Sequence, residues 1–235
     1  NKFFGYIALI LKFLFYRFSS GIITNSFNSK KSLDKLVKNK TKLIFNPYLK
    51  NIYNYRKIKR QNFILSVGRL CKQKNQSLII KSFNIFSKKY PKFKLLIVGH
   101  GNDYKKLKDL TNDLKLNNNI KFLGRKTKLK KYYVASKIFV FPSLYEGLPN
   151  ALIDSLNYNL PIISTRCSGA EDILGRNFKD FTPHDDIERL AKKMIDIIDN
   201  YNVKSLSLLK KRKSLVRFMV NNQSKKYLDY CEKFL

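Results

Sequence analysis

The chain has 235 residues, 44% of them hydrophobic, 14% aromatic and 27% charged, a balance that supplies a packed core and rules out a disordered tail. Forty-eight Lys and Arg stand against 16 Asp and Glu, a formal net charge of +32, which draws the chain toward anionic surfaces or polymers without choosing among them. Cys71, Cys167 and Cys231 are widely spaced with no CxxC, and His100 and His184 are the only histidines, so composition speaks against a disulfide framework and against a Cys/His zinc site.

The first residue is Asn1 rather than Met, and the sequence is expected to be a fragment or a processed chain. Residues 3–18, FFGYIALILKFLFYRF, are its most apolar stretch, but Lys12 interrupts them and the run is shorter than the roughly 20 residues a spanning helix needs. No small-residue cleavage site follows, so a signal peptide is not read here. Two readings stay open: a helix buried against a surface outside this sequence, which is favoured, and a helix in a membrane interface with Lys2, Lys12 and Arg17 outward.

GIITNS (21–26) reads as a short strand, a helix is expected over about 29–37, and KLIFNP (42–47) reads as a second strand closed by Asn46 and Pro47. Residues 48–61 lack an apolar period and are heavily basic, as a linker would be. From Asn62 a regular alternation begins. FILSVGR (63–69), KLLIVG (94–99), NIKFLG (119–124), IFVFPS (138–143) and PIIST (161–165) read as strands. Helical spacing falls between them, as with Leu78, Ile79, Phe83, Phe86 and Tyr90, and the rest to Leu235 reads as helical. Short continuous apolar strands alternating with helices imply an α/β fold: a doubly wound parallel sheet, Rossmann-like, covered on both faces. Such a sheet binds ligands at the carboxyl ends of its strands.

Gly68, Gly99, Gly101, Gly124, Gly147 and Gly169 all fall in segments expected to follow strands, and glycine there lets backbone N–H groups approach a ligand closely. None fits GxxxxGK[ST] or GxGxxG. Arg69 directly follows Gly68, and Lys74 comes five residues later near a helix start, two cations suited to a diphosphate. Glu146 precedes a helix opened by Pro149, and Asp154, eight residues after Glu146, lies within that helix. Both carboxylates can accept hydrogen bonds from sugar hydroxyls or act as acid and base, and the amides of Gly147 to Asn150 between them suit an anion.

Taken in order, SVGRLCKQKN (66–75), LLIVGHGNDYKKL (95–107), IKFLGR (120–125), FPSLYEGLPNALIDSL (141–156) and PIISTRCSGAEDIL (161–174) resemble the retaining glycosyltransferases of family 4. The resemblance implies the GT-B fold, two Rossmann-like domains facing across a cleft. Residues 1–47 would be the tail of the acceptor-side domain, 48–61 a basic hinge and 62–200 the nucleotide-sugar-binding domain, with 201–235 as helices packing back toward the N-terminal side. It further implies that Arg69 and Lys74 hold the donor pyrophosphate behind Gly68 and that Glu146 meets the donor sugar. Asp154 would meet the ribose, where the family has a glutamate one methylene longer. Gly147, Leu148, Pro149 and Asn150 would line the phosphate and sugar, and Leu123, Gly124 and Arg125 the base.

The implied reaction moves a sugar from a nucleotide-sugar, expected to be a UDP-sugar, to a hydroxyl acceptor with retained configuration, with no metal and no further cofactor. The implied setting is the cytoplasmic side of a bacterial membrane, with a glycan or lipid-linked acceptor and an anionic membrane surface as partners. Two alternatives stand beside it. One is a truncated, non-catalytic nucleotide-binding module. The other is a nucleic-acid binder suggested by charge and by 18 Phe and 14 Tyr, but no RNP-like strand or helix-turn-helix supports it, so no specific nucleic acid is expected.

Overall fold

The computed structural model describes residues 7, 10–11, 14–37, 40–53, 59–202 and 212–234. The chain divides into two compact units, one of residues 1–50 with 216–235 and the other of residues 51–215.

In the first unit, β1 (Ile22–Thr24) pairs in parallel with β2 (Thr41–Leu43) around α1 (Phe27–Asp34). Ser26 caps α1, its hydroxyl accepting from Ser29 N, which satisfies one of the N–H groups the first turn leaves open. Helix α8 (Val220–Cys231) belongs to this unit, and the Tyr230 hydroxyl donates to Lys40 O at 3.0 Å. Much of the apolar stretch 3–18 lies outside the described residues, Lys2 and Lys12 among them. Within it, Ile7, Ile10, Leu11, Leu14, Phe15 and Phe18 are helical and their side chains are exposed. No helix of the described residues is long and apolar enough to cross a membrane.

The second unit carries one parallel sheet of six strands, β3 (Phe63–Val67), β4 (Lys94–Val98), β5 (Ile120–Phe122), β6 (Ile138–Phe141), β7 (Ile162–Thr165) and β8 (Phe181–Thr182), in the spatial order β5-β4-β3-β6-β7-β8. The central strands are contiguous apolar runs because both their faces are covered, and Ile64, Leu65, Leu95, Phe139 and Ile163 are fully shielded from water. Helices α2 (Gln76–Lys89), α3 (Tyr104–Asp113) and α7 (Ile187–Asp199) share one apolar cluster with the sheet. On α7 the buried residues Leu190, Ala191, Met194 and Ile197 recur at helical spacing, and this stripe packs on α2. The crossovers α4 (Lys130–Ala135), α5 (Asn150–Asn157) and α6 (Ser168–Leu174) complete the winding. The doubly wound parallel sheet read from the alternation is the fold observed.

Two details of the sequence reading are corrected. The chain after residue 165 is not all helical: Phe181 and Thr182 form the sixth strand, paired with Ser164 and Thr165 at the sheet edge. Two residues are too few to leave a readable apolar run. Gly169 lies inside α6 rather than in a loop.

Candidate functional site

The strand order fixes where loops from distant parts of the chain can meet. It reverses between β3 and β6, so the segments leaving these two neighbours diverge to opposite faces and open a crevice at their carboxyl ends. Lys74, in a 3-10 turn over Lys72–Lys74, comes from one side of that crevice and Glu146 from the other. Lys74 Nζ stands 2.5 Å from Glu146 Oε1, with the two side chains only 15% and 12% exposed. At that depth solvent and salt screen the charges less than they would on the surface.

Several contacts hold these two groups in place. Leu144 N donates to Gln73 O at 2.8 Å and Gln73 Nε2 donates to Tyr145 O at 2.8 Å, so residues 73–74 and 144–146 run together as a strap across the crevice. The Lys74 ammonium lies 5.3 Å from the Phe141 ring centroid at the end of β6, a cation–π contact. Ser168 Oγ donates to Glu146 O at 3.1 Å. Gly169 packs under the same loop so closely that a Cβ would fall 2.3 Å from Gly147 O.

On the other side, a Cβ on Gly68 would lie 3.3 Å from Lys74 Cδ, so that glycine borders the cation's stem. Gly99 has φ +150°, and a Cβ there would fall 1.8 Å from Gly68 O, a position open only to glycine. Gly99 N donates to Gly124 O at 2.9 Å and Leu123 N to Ile97 O at 2.9 Å. Backbone at Gly124, Gly99 and Gly68 therefore follows the ends of β5, β4 and β3 in turn, with Arg125 exposed beside it. The Arg69 side chain is exposed and forms no ion pair among the described residues, while its carbonyl accepts from the buried Gln76 at 2.7 Å.

Gly147 and Leu148 lead to Pro149, which caps α5, and Asn150 begins that helix. The first-turn N–H groups lack helical partners and the dipole adds partial positive charge there. Asp154 stands one turn further along α5, half-buried. Behind the loop, burial pushes the Cys167 thiol up to about 11, with the Glu146 carboxylate adding to the effect and the Ala170 backbone and Lys74 opposing it. The edge thus offers two cations, a run of close-approach backbone and a helix N-terminus to an anion, and carboxylates to hydroxyl groups. Among the described residues no group of three or more His, Cys, Asp or Glu is placed to hold a metal ion.

The family of glycosyl transferases group 1 matches residues 49–217. The chain belongs to that family. An uncharacterized glycosyltransferase of Methanocaldococcus jannaschii is 40% identical over 183 residues, 72% of this chain and 45% of that protein. The capsular polysaccharide biosynthesis glycosyltransferase CapH of Staphylococcus aureus is 32% identical over 176 residues, covering 73% of this chain and 49% of CapH. Among solved structures, Anabaena HepE in complex with UDP and glucose superposes over 97% of this chain and 66% of HepE with a TM-score of 0.83, at 18% identity. The shared architecture is the GT-B fold, and this chain spans about half the length of the curated relatives it matches.

In this group 1 glycosyl transferase, the residues singled out in the sequence lie along the carboxyl edge of the sheet and on α5, and the structure pairs Lys74 with Glu146 and runs its stem past Gly68, where a Cβ would meet it. The sequence reading does not single out Gln73, Ser168 or Phe141, and it takes Gly169 as a loop glycine rather than the helical glycine packed under the Glu146 loop. Gln73 sits between two basic residues and reads as one more polar surface residue. Its partners lie about 70 residues away in sequence, and no local pattern reports such a contact.

Proposed function

We propose that the whole protein is a retaining, metal-independent glycosyltransferase of family 4, which moves a sugar from a UDP-sugar to a hydroxyl of a glycan or lipid-linked acceptor. The observation that carries this reading is the Lys74–Glu146 pair beside Gly68 and Arg69 at the point where the strand order reverses. In the transfer, the bond between the anomeric carbon and the β-phosphate oxygen breaks with its electron pair going to the diphosphate. The acceptor oxygen bonds the anomeric carbon on the same face, and its proton passes to the departing phosphate oxygen. Arg69 and Lys74 offset the charge that grows on the leaving group, a stabilisation realised mainly in the transition state.

Glu146 accepts from hydroxyls of the donor sugar and Asp154 from the ribose. The amides of Gly147 to Asn150, with Leu148 and Pro149 shaping the turn, meet phosphate and sugar, while Leu123, Gly124 and Arg125 border the base. No cofactor beyond the nucleotide-sugar enters this scheme. Cell-surface polysaccharide synthesis is the setting that fits best, CapH being named for capsular polysaccharide. A net charge of +32 suits an anionic membrane surface on the cytoplasmic side.

Calorimetric titration of the chain with UDP, GDP and ADP tests the donor site. Saturable binding with a base preference is expected, weakened about tenfold or more in Arg69→Ala, as loss of a charge-assisted phosphate contact requires. A folded chain that binds none of the three would overturn the reading. Binding by the whole protein without transfer to any glycan or lipid-linked acceptor would leave a non-catalytic nucleotide-binding module.

A further inference from the structure

The two cations assigned to the diphosphate are not in the same state. Arg69 is exposed and without an ion pair among the described residues, whereas Lys74 is held by Glu146 at 2.5 Å in a largely shielded position. Resting on the donor-site reading above, this has a consequence for the two ligands that must share the site. A nucleotide-sugar carries its diphosphate as a diester with two negative charges, and its sugar hydroxyls can donate to Glu146. A nucleoside diphosphate has no sugar to offer, and its terminal phosphate has a further ionisation near pH 6, so it carries about three charges at neutral pH. With the product in place, the Glu146 carboxylate faces added negative charge and lacks hydroxyl donors, in a site where screening is weak.

We propose that Glu146 is the lever for product release: when the sugar leaves, its carboxylate exchanges the sugar hydroxyls for Lys74 and withdraws that cation from the terminal phosphate. The Lys74–Glu146 contact at 2.5 Å is the pairing this exchange would form. The Phe141 ring and the strap made by Gln73 hold Lys74 beside Glu146, so the exchange we propose is a side-chain rotation on a backbone that stays in place. Cys167, a thiol at neutral pH whose burial pushes its titration further up to about 11, adds no competing charge.

The test is calorimetric titration of the full chain, wild type and Glu146→Gln, with UDP and UDP-glucose as probes. Glu146→Gln is expected to bind UDP about tenfold more tightly and UDP-glucose no better than wild type, which shifts the ratio of the two affinities about tenfold toward the product-like ligand. In a Lys74→Met background the gain in UDP affinity should vanish, because the lever acts through Lys74. UDP affinity that is unchanged or lower in Glu146→Gln, or a gain that survives in Lys74→Met, would refute the lever while leaving the donor site intact. Failure of the folded wild-type chain to bind UDP, GDP or ADP would instead bring down the donor-site reading and the lever with it. Should Glu146→Gln not fold, Glu146→Ser carries the same expectation.

Discussion

Among the described residues, Cys167 has a thiol moved well away from its ordinary behaviour. Burial behind the Glu146 loop is the main cause and the nearby carboxylate adds to it, so the thiol titrates near 11 in the folded chain. An unfolded thiol titrates near 9, and between these values the folded state holds a proton that the unfolded state has lost. The sign follows directly: stability is unaffected by this group below about pH 8 and falls as pH rises through the window. Urea denaturation at about pH 8 and about pH 10.5 should show the wild type losing about 2 kcal/mol more than Cys167→Ala over that interval. Equal losses in the two proteins would mean that the thiol is not shielded as described. In the same protein at neutral pH, the exposed Cys231 should be alkylated well before Cys167.

At the level of elements, the site depends on the strap between the 3-10 turn over Lys72–Lys74 and the loop after β6. Gln73 holds that loop through its main chain and its side chain at once, which fixes Glu146 relative to Lys74. Gln73→Ala should therefore weaken UDP-glucose binding, where Glu146 would meet the sugar, by about threefold to tenfold with little change in unfolding free energy, since the lost bond lies near the surface. A double-mutant cycle with Glu146→Gln should show coupling in UDP affinity, and strict additivity would show that Gln73 has no part in positioning. The elements themselves were legible in the sequence because covered parallel strands are mostly apolar runs, as FILSV, KLLIV and IFVF are, with Ser66 and Lys94 the polar exceptions. Contacts across the fold were not legible. Arg60 reads as one more cation in a basic stretch, yet its guanidinium donates to Tyr133 O, Val134 O, Ser136 O, Tyr158 O and Asn159 O at 2.8–3.2 Å. It closes the carbonyl ends of α4 and α5 together, a role that exists only once both helices are in place. Lys74 and Glu146 could be singled out beforehand because each sits at a strand end in a recognisable motif, whereas their direct pairing required the reversal of strand order that brings β3 beside β6.

Across the whole molecule, the charge of +32 predicts attraction to any polyanion, and this must be separated from recognition at the crevice. The two have different salt signatures. Contacts between scattered surface lysines and nucleic-acid phosphates draw their free energy from counterion release, so affinity for a duplex oligonucleotide should fall by about a thousandfold or more between about 0.05 and about 0.2 M salt, irrespective of its sequence. On the proposed reading, UDP would engage a local site whose Lys74 and Glu146 side chains are 15% and 12% exposed, where mobile ions screen less. Its affinity should therefore fall by no more than about threefold to tenfold over the same range, and the base preference should persist. Parallel titrations with UDP and a random-sequence duplex at several salt concentrations provide the measurement. If UDP binding collapsed as steeply as duplex binding, the nucleotide would be held by general surface charge, and the crevice between β3 and β6 would lose its claim to be the donor site. If duplex binding persisted at high salt with a preferred sequence, the aromatic and basic composition would reflect nucleic-acid recognition after all, because counterion release alone cannot distinguish one sequence from another.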